Sequence, residues 1–334
     1  MLRYSHRQAR LALSGLMLAG LAVTPLSVQR AQAKYQDDSF QIAAEASERD
    51  RSSLASHLTG RVIVVAGDSA AYGFQLAEFP GFHVAFDPGL LFPGADGVLV
   101  DRLARRGIET RSVNFSCPAE TLVSFVSSRC VWHEDLGVPL HNGLTYRGPQ
   151  LQAVLDFLRR EGDTVGAVAL MLGGNDILEL IATCASGVDD SIVDPAPCVD
   201  RNLDAFIDAQ LRLYRSVLRG IHQAAPHAII VVHLEADIFT PQTERLLGLF
   251  YDASRAVGEY NASVGAVARE YGAVTVDFNR PFTRNRASLC RYTGLCLVDP
   301  AGQPQPDGHP SDAGYAKIAE LDLQALVRGA RARP

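Results

Sequence analysis

Ser69 ends the run Val62-Ile63-Val64-Val65-Ala66-Gly67-Asp68-Ser69, and His309 lies far downstream in Asp307-Gly308-His309-Pro310. A serine hydroxyl is a weak nucleophile until a base takes its proton, and imidazole is a suitable base near neutral pH. A carboxylate such as Asp307 could orient that ring. Two further segments carry possible donors: Asn114-Phe115-Ser116-Cys117-Pro118-Ala119-Glu120-Thr121 and Leu172-Gly173-Gly174-Asn175-Asp176. Paired glycines let backbone come close to a ligand, and the Asn175 amide could donate to a developing oxyanion. One of Asn175 and Asp176 could instead cap the helix that follows.

Elements of alternating type must position these groups. Apolar, β-branched runs predict strands at 62–66, 110–115, 167–172, 228–234 and 274–278. Helical periodicity predicts helices at 97–106, 150–161, 202–224, 243–271 and 312–328. Alternating strands and helices give a parallel sheet covered on both faces, and continuously apolar strands such as Ile229-Ile230-Val231-Val232 suit burial on both sides. Ser69 then sits at the carboxyl edge of the sheet, where ligands bind in open α/β folds. The connections 72–95, 123–147, 179–201 and 280–307 read as insertions around that edge. His233, Trp132 and His133 are better read as structural, and Gly89-Leu90-Leu91-Phe92-Pro93 as either an apolar contact or core.

The start of the chain differs. Arg3, Arg7 and Arg10 precede an apolar stretch from Leu11 to Val23 and a small-x-small site at Ala31-Gln32-Ala33. That is the layout of a cleaved signal peptide over residues 1–33, with cleavage near Ala33-Lys34, and it implies a secreted, periplasmic or extracellular protein. The apolar stretch is shorter than the ~20 residues of a spanning helix, so no stable membrane span is expected after cleavage. Residues 34–60 read as a polar arm, and 61–330 as one domain. Six cysteines in an exported chain favour disulfides between sequence neighbours, Cys117–Cys130, Cys184–Cys198 and Cys290–Cys296. The spacing suggests no metal site. A net charge of −6 without a basic stripe gives no support for nucleic-acid binding.

Taken together, the segments resemble the SGNH (GDSL-type) hydrolases from about Arg61 to Val327. The resemblance implies a three-layer α/β/α, flavodoxin-like fold with a parallel five-stranded sheet. It further implies a serine hydrolase that cleaves carboxylic esters (lipase or esterase type) without a cofactor. Ser69 matches the family's nucleophile and first oxyanion donor, with Gly67 and Asp68 in support. Asn175, after Gly174, matches its side-chain donor, and His309 its base. Two positions depart from the pattern. Ala119 stands where the family supplies a glycine N–H, and Pro306 stands where it supplies an aspartate. Asp307, a backbone carbonyl or Asp299 could therefore orient His309. The substrate would be a small-molecule, lipid or glycan ester. An acyltransferase using the same site and an inactive secreted binding protein of the same fold are the alternatives.

Overall fold

A computed structural model describes residues 48–186, 193–238, 252–299 and 301–333. The chain divides into two compact units, Met1–Arg51 and Ser52–Pro334. The signal segment, most of the arm, and the 243–251 part of the helix expected at 243–271 lie outside the described residues. The arm-to-domain boundary expected at 60/61 falls inside the larger unit, because Leu54 and Leu58 join its core.

In chain order the elements are α1 (Glu48–Leu58), β1 (Val62–Gly67), α2 (Ser69–Tyr72), α3 (Pro88–Leu91), α4 (Gly94–Ala104), β2 (Arg111–Asn114), α5 (Leu122–Ser127) and α6 (Val131–Glu134). There follow α7 (Gln150–Glu161), β3 (Val165–Met171), α8 (Gly174–Ala185), α9 (Ala196–Ala224), β4 (Ile229–Leu234), α10 (Ser254–Glu270) and β5 (Val274–Asp277). The chain closes with α11 (Asn279–Thr283), α12 (Arg286–Tyr292), β6 (Thr293–Gly294), β7 (Asp307–Pro310) and α13 (Asp312–Arg331). Helix α8 fills the start of what the sequence suggested was a long connection at 179–201. The strand β7 was not expected.

The five long strands form one parallel sheet in the order β2-β1-β3-β4-β5. Their apolar runs still alternate between two cores, as a period of two requires. Val62, Val64 and Ala66 face the layer of α5, α7, α8, α9 and α10, whereas Ile63 and Val65 face α1, α4 and α13. The result is a helix–sheet–helix stack, which is the three-layer arrangement the sequence implied. His233 shares the parity of Ile229 and Val231 and points at α13, where its Nε2 lies 2.7 Å from Asp322 Oδ1 and its Nδ1 lies 3.0 Å from the Leu170 carbonyl. It is a buried structural residue and does not line the catalytic edge. In the 89–93 segment Phe92 is fully buried, whereas Leu90 is exposed.

Each cysteine pair closes as expected: Cys117–Cys130, Cys184–Cys198 and Cys290–Cys296, with Cα separations of 6.0, 5.4 and 5.1 Å. Among the described residues no helix is long and apolar enough to cross a membrane.

Candidate active site

The order β2-β1-β3 sets three strand ends side by side, and the turns that leave them carry Ala119, Ser69 and Asn175. Ser69 opens α2. Asp68 caps that helix, its Oδ1 accepting the Ala70 N–H at 2.9 Å. Gly67 must be a glycine: its φ is 147°, and a Cβ there would collide with the Met171 carbonyl oxygen on the neighbouring strand. That carbonyl accepts the Asp68 N–H instead, at 3.1 Å.

His309 reaches the same point from the far end of the chain. β7 pairs antiparallel with β6, so residues two apart share a face, and Asp307 and His309 project together. Asp307 Oδ1 lies 2.5 Å from His309 Nδ1 and also accepts the His309 backbone N–H at 3.1 Å. Asp307 Oδ2 accepts the Leu76 N–H at 2.7 Å. With the carboxylate on Nδ1, the ring proton is held there and Nε2 is left as an acceptor, 2.8 Å from Ser69 Oγ. Of the three candidates for orienting the ring, Asp307 is the group in contact. Burial alone would lower the His309 pKa, but the Asp307 charge and hydrogen bond outweigh it and the net shift is upward. Burial would raise Asp307, yet His309 and the two N–H donors bring it below the usual carboxylate range.

The donor segments are bound to this core. Asn175 Nδ2 donates to the Glu120 carbonyl at 2.8 Å, which ties the turn after β3 to the turn after β2. Asp176 does not cap its own helix. Its Oδ2 accepts the N–H of Leu122 at the start of α5 (2.8 Å), and its Oδ1 accepts Gln210 Nε2 (2.9 Å). Gly174 is closely packed: a Cβ there would come within 2.7 Å of Glu235 Oε2. Ala119 takes φ 61°, in the left-handed region that favours glycine.

Several supporting residues escaped the sequence reading. Gln150 is wholly buried. Its Oε1 accepts the Gly67 N–H at 2.7 Å, and its Nε2 donates to the Gly67 carbonyl at 3.0 Å and to Glu120 Oε2 at 3.3 Å. The available signal was a polar residue in the apolar stripe Gln150/Val154/Leu158 of α7. Glu120 and Glu235 are buried as well. Burial pushes Asp68 up to about 6, Asp176 to about 7 and Glu120 to about 8. Trp132 is buried and lies edge-on to Phe74 at 5.5 Å, and Phe74 is in turn edge-on to the His309 ring at 4.9 Å. His133 bonds the Val138 carbonyl. Among the described residues, the grouping with metal-ligand geometry is Cys117, Cys130 and Glu120; its sulfurs are joined in a disulfide and so supply no thiolate.

Ser69, His309 and Asp307 are thus hydrogen-bonded in series at the carboxyl edge of a parallel three-layer sheet. The family model described as "GDSL-like Lipase/Acylhydrolase family" matches residues 65–317. The chain belongs to that family, and it is a carboxylic ester hydrolase. It is similar to a solved structure of phospholipase A1 from Streptomyces albidoflavus, at 17% identity and TM-score 0.45, over 80% of this chain and 98% of that one. Similar figures hold for an extracellular lipase from Streptomyces rimosus: 15% identity and TM-score 0.45, over 79% of this chain and 98% of that one. A family 3 carbohydrate esterase from Clostridium thermocellum matches at 17% identity and TM-score 0.39, over 81% and 98%. No curated protein matches.

An alanine in left-handed backbone costs about 1 kcal/mol, part of which glycine returns through its greater freedom in the unfolded chain. Ala119→Gly is therefore expected to raise the unfolding free energy by up to ~1 kcal/mol in urea titrations. A loss of that size would show that the left-handed geometry is not the source of strain.

Proposed function

We propose that the protein is an exported serine esterase in which Ser69, His309 and Asp307 form the catalytic triad. The observation that carries this reading is the continuous hydrogen-bond chain from Asp307 through His309 to Ser69 Oγ. In this mechanism His309 Nε2 takes the Ser69 proton as Oγ attacks the ester carbonyl. The tetrahedral oxyanion is bound by the backbone N–H groups of Ser69 and Ala119 and by Asn175 Nδ2. Asn175 spends one of its two N–H bonds on the Glu120 carbonyl, which aims the other. Asp307 stabilises the imidazolium that forms. His309 then gives its proton to the departing alcohol, and water, activated by the same imidazole, releases the acyl group.

The His309 side chain keeps 22% of its surface open to solvent, so water can reach the acyl-enzyme, and an acceptor alcohol would enter by the same opening; product analysis with added alcohol separates hydrolysis from acyl transfer. The substrate class is an ester of a small molecule, lipid or glycan. Export is supported by the pairing of all six cysteines, which an oxidising compartment maintains. The functional domain is taken as residues 61–330, its core completed by Leu54 and Leu58 of the preceding arm, after removal of 1–33. The mature protein recovered from the periplasm or medium is expected to begin near Lys34 by N-terminal sequencing. A start at Met1 would overturn the export reading.

Nitrophenyl esters from acetate to palmitate test the mechanism. Ser69→Ala should lose at least ~10⁴-fold in kcat while keeping its circular dichroism, and Asp307→Asn should lose roughly 10²–10⁴-fold. Turnover needs neutral His309, whose pKa is raised from the ordinary 6.5, so the acid limb of kcat/KM should lie above pH 6.5 and move down in Asp307→Asn. Activity retained in Ser69→Ala would remove the assignment.

A further inference from the structure

Glu235 follows β4 and is buried, yet no step of the proposed mechanism uses it. Its place is built with unusual completeness. Asn261 of α10 clamps its backbone from both sides, Oδ1 accepting the Glu235 N–H at 2.8 Å and Nδ2 donating to the Glu235 carbonyl at 2.8 Å. Its carboxyl lies against Gly174, the residue before Asn175, whose N–H favours the charged form. Both residues of the Gly173-Gly174 pair are constrained by this corner. A Cβ on Gly173 would run into the Tyr260 hydroxyl, and one on Gly174 would meet Glu235 Oε2 at 2.7 Å and Asp68 Oδ2 at 3.8 Å. Two carboxyl groups thus converge on one glycine, one from the residue before Ser69 and one from the end of β4.

We propose that Glu235 is a positioning residue for the reaction: with Asp68 it holds the Gly174–Asn175 turn in register with the Ser69 turn, and so fixes the Asn175 donor relative to the nucleophile. The inference rests on the proposed serine mechanism. Among the described residues, Asp68 faces Glu235 from the turn after β1, Asp176 from α8, Tyr214 from α9, and Tyr260 and Asn261 from α10, with no cation among them. Burial, together with the Asp68 and Asp176 charges, holds Glu235 well above the usual carboxylate range. Its Oε1 has no hydrogen-bond partner among the described residues, which a neutral acid tolerates far better than a carboxylate. A neutral Glu235 lets the neighbouring Asp68 carry charge, and Asp68 favours the protonated form of His309. Once Glu235 ionises, two like charges press on Gly174 and the turn is driven apart, so activity should fall on the alkaline side.

Glu235→Gln and Glu235→Leu separate these effects. Gln keeps an acceptor for the Gly174 N–H and cannot ionise; Leu keeps bulk and loses the acceptor. The expected result is a kcat in the Leu variant lowered at least tenfold with KM within twofold. The Gln variant should keep kcat within about threefold and carry its alkaline fall in kcat/KM to higher pH. Full kcat in Glu235→Leu, or an equal loss in both variants, would overturn the proposal. Should the Leu variant fail to fold, the Gln profile decides: an alkaline limb that stays where wild type has it also overturns the proposal. Labelling of wild type by a fluorophosphonate, run in parallel, reports on the serine mechanism alone. A labelled wild type whose variants show no difference counts against Glu235 only.

Discussion

The site depends on a strand pairing of very few residues. β7 is held extended against β6, with Thr293 opposite Pro310 and Gly294 opposite Asp307. Only extended backbone puts residues i and i+2 on one face, and it is this that joins Asp307 to His309 across a single intervening glycine. The pairing is reinforced on all sides. A Cβ on Gly294 would come within 2.7 Å of Asp307 Cβ, the Cys290–Cys296 bond closes the adjoining loop, and Ser311 anchors the strand exit through its N–H to the Tyr292 carbonyl and its Oγ to the Arg291 carbonyl. A slip of one residue would turn His309 away from Ser69.

Opposite this arm, the sheet supplies a rigid edge whose turns are cross-linked by buried polar side chains. Gln150 satisfies both backbone groups of Gly67, Asp176 ties α5 to α8 and α9, and Asn175 reaches the carbonyl of Glu120. Such groups are costly to bury unless they are bonded. Their concentration behind Ser69 fits a role in holding donors still, since preorganised donors need no rearrangement as charge develops. Burial also raises Asp68, Glu120 and Asp176, so each holds its proton to a higher pH in the folded than in the unfolded state. The sign follows directly. A carboxyl whose folded pKa lies above its unfolded value contributes stability at low pH that is lost as pH rises through the folded value. This interior therefore favours mildly acidic conditions, on the acid side of the range in which His309 is neutral and able to act as a base.

Much of this was legible in the sequence, where local pattern and chemistry coincide. The β-branched run into Gly67-Asp68-Ser69, the Gly173-Gly174-Asn175 turn and the lone His309 before a helix each announced their strand or turn context. The five strands fall within a residue or two of the apolar runs. Asp307 was harder, because its role depends on β7 being extended, and Asp-Gly-His-Pro carries turn formers that hide a strand. Helix α8 was half legible: a helix was expected after Asn175-Asp176, but the stretch from Glu179 was read as a connection although the helix runs to Ala185. Gln150 and Glu235 were invisible for a different reason. Their partners lie at Gly67, the end of β1, and at Gly174, the start of α8, and no local periodicity reports such a contact.

The most direct test of the account is peptide mass mapping after a fluorophosphonate reaction. The reagent mimics the tetrahedral intermediate, and it reacts only where a base activates the serine and donors receive the oxyanion. One stoichiometric adduct on the peptide containing Ser69, absent in His309→Ala, is the predicted result. An adduct on another residue, or none at all in folded wild-type protein, would contradict the triad.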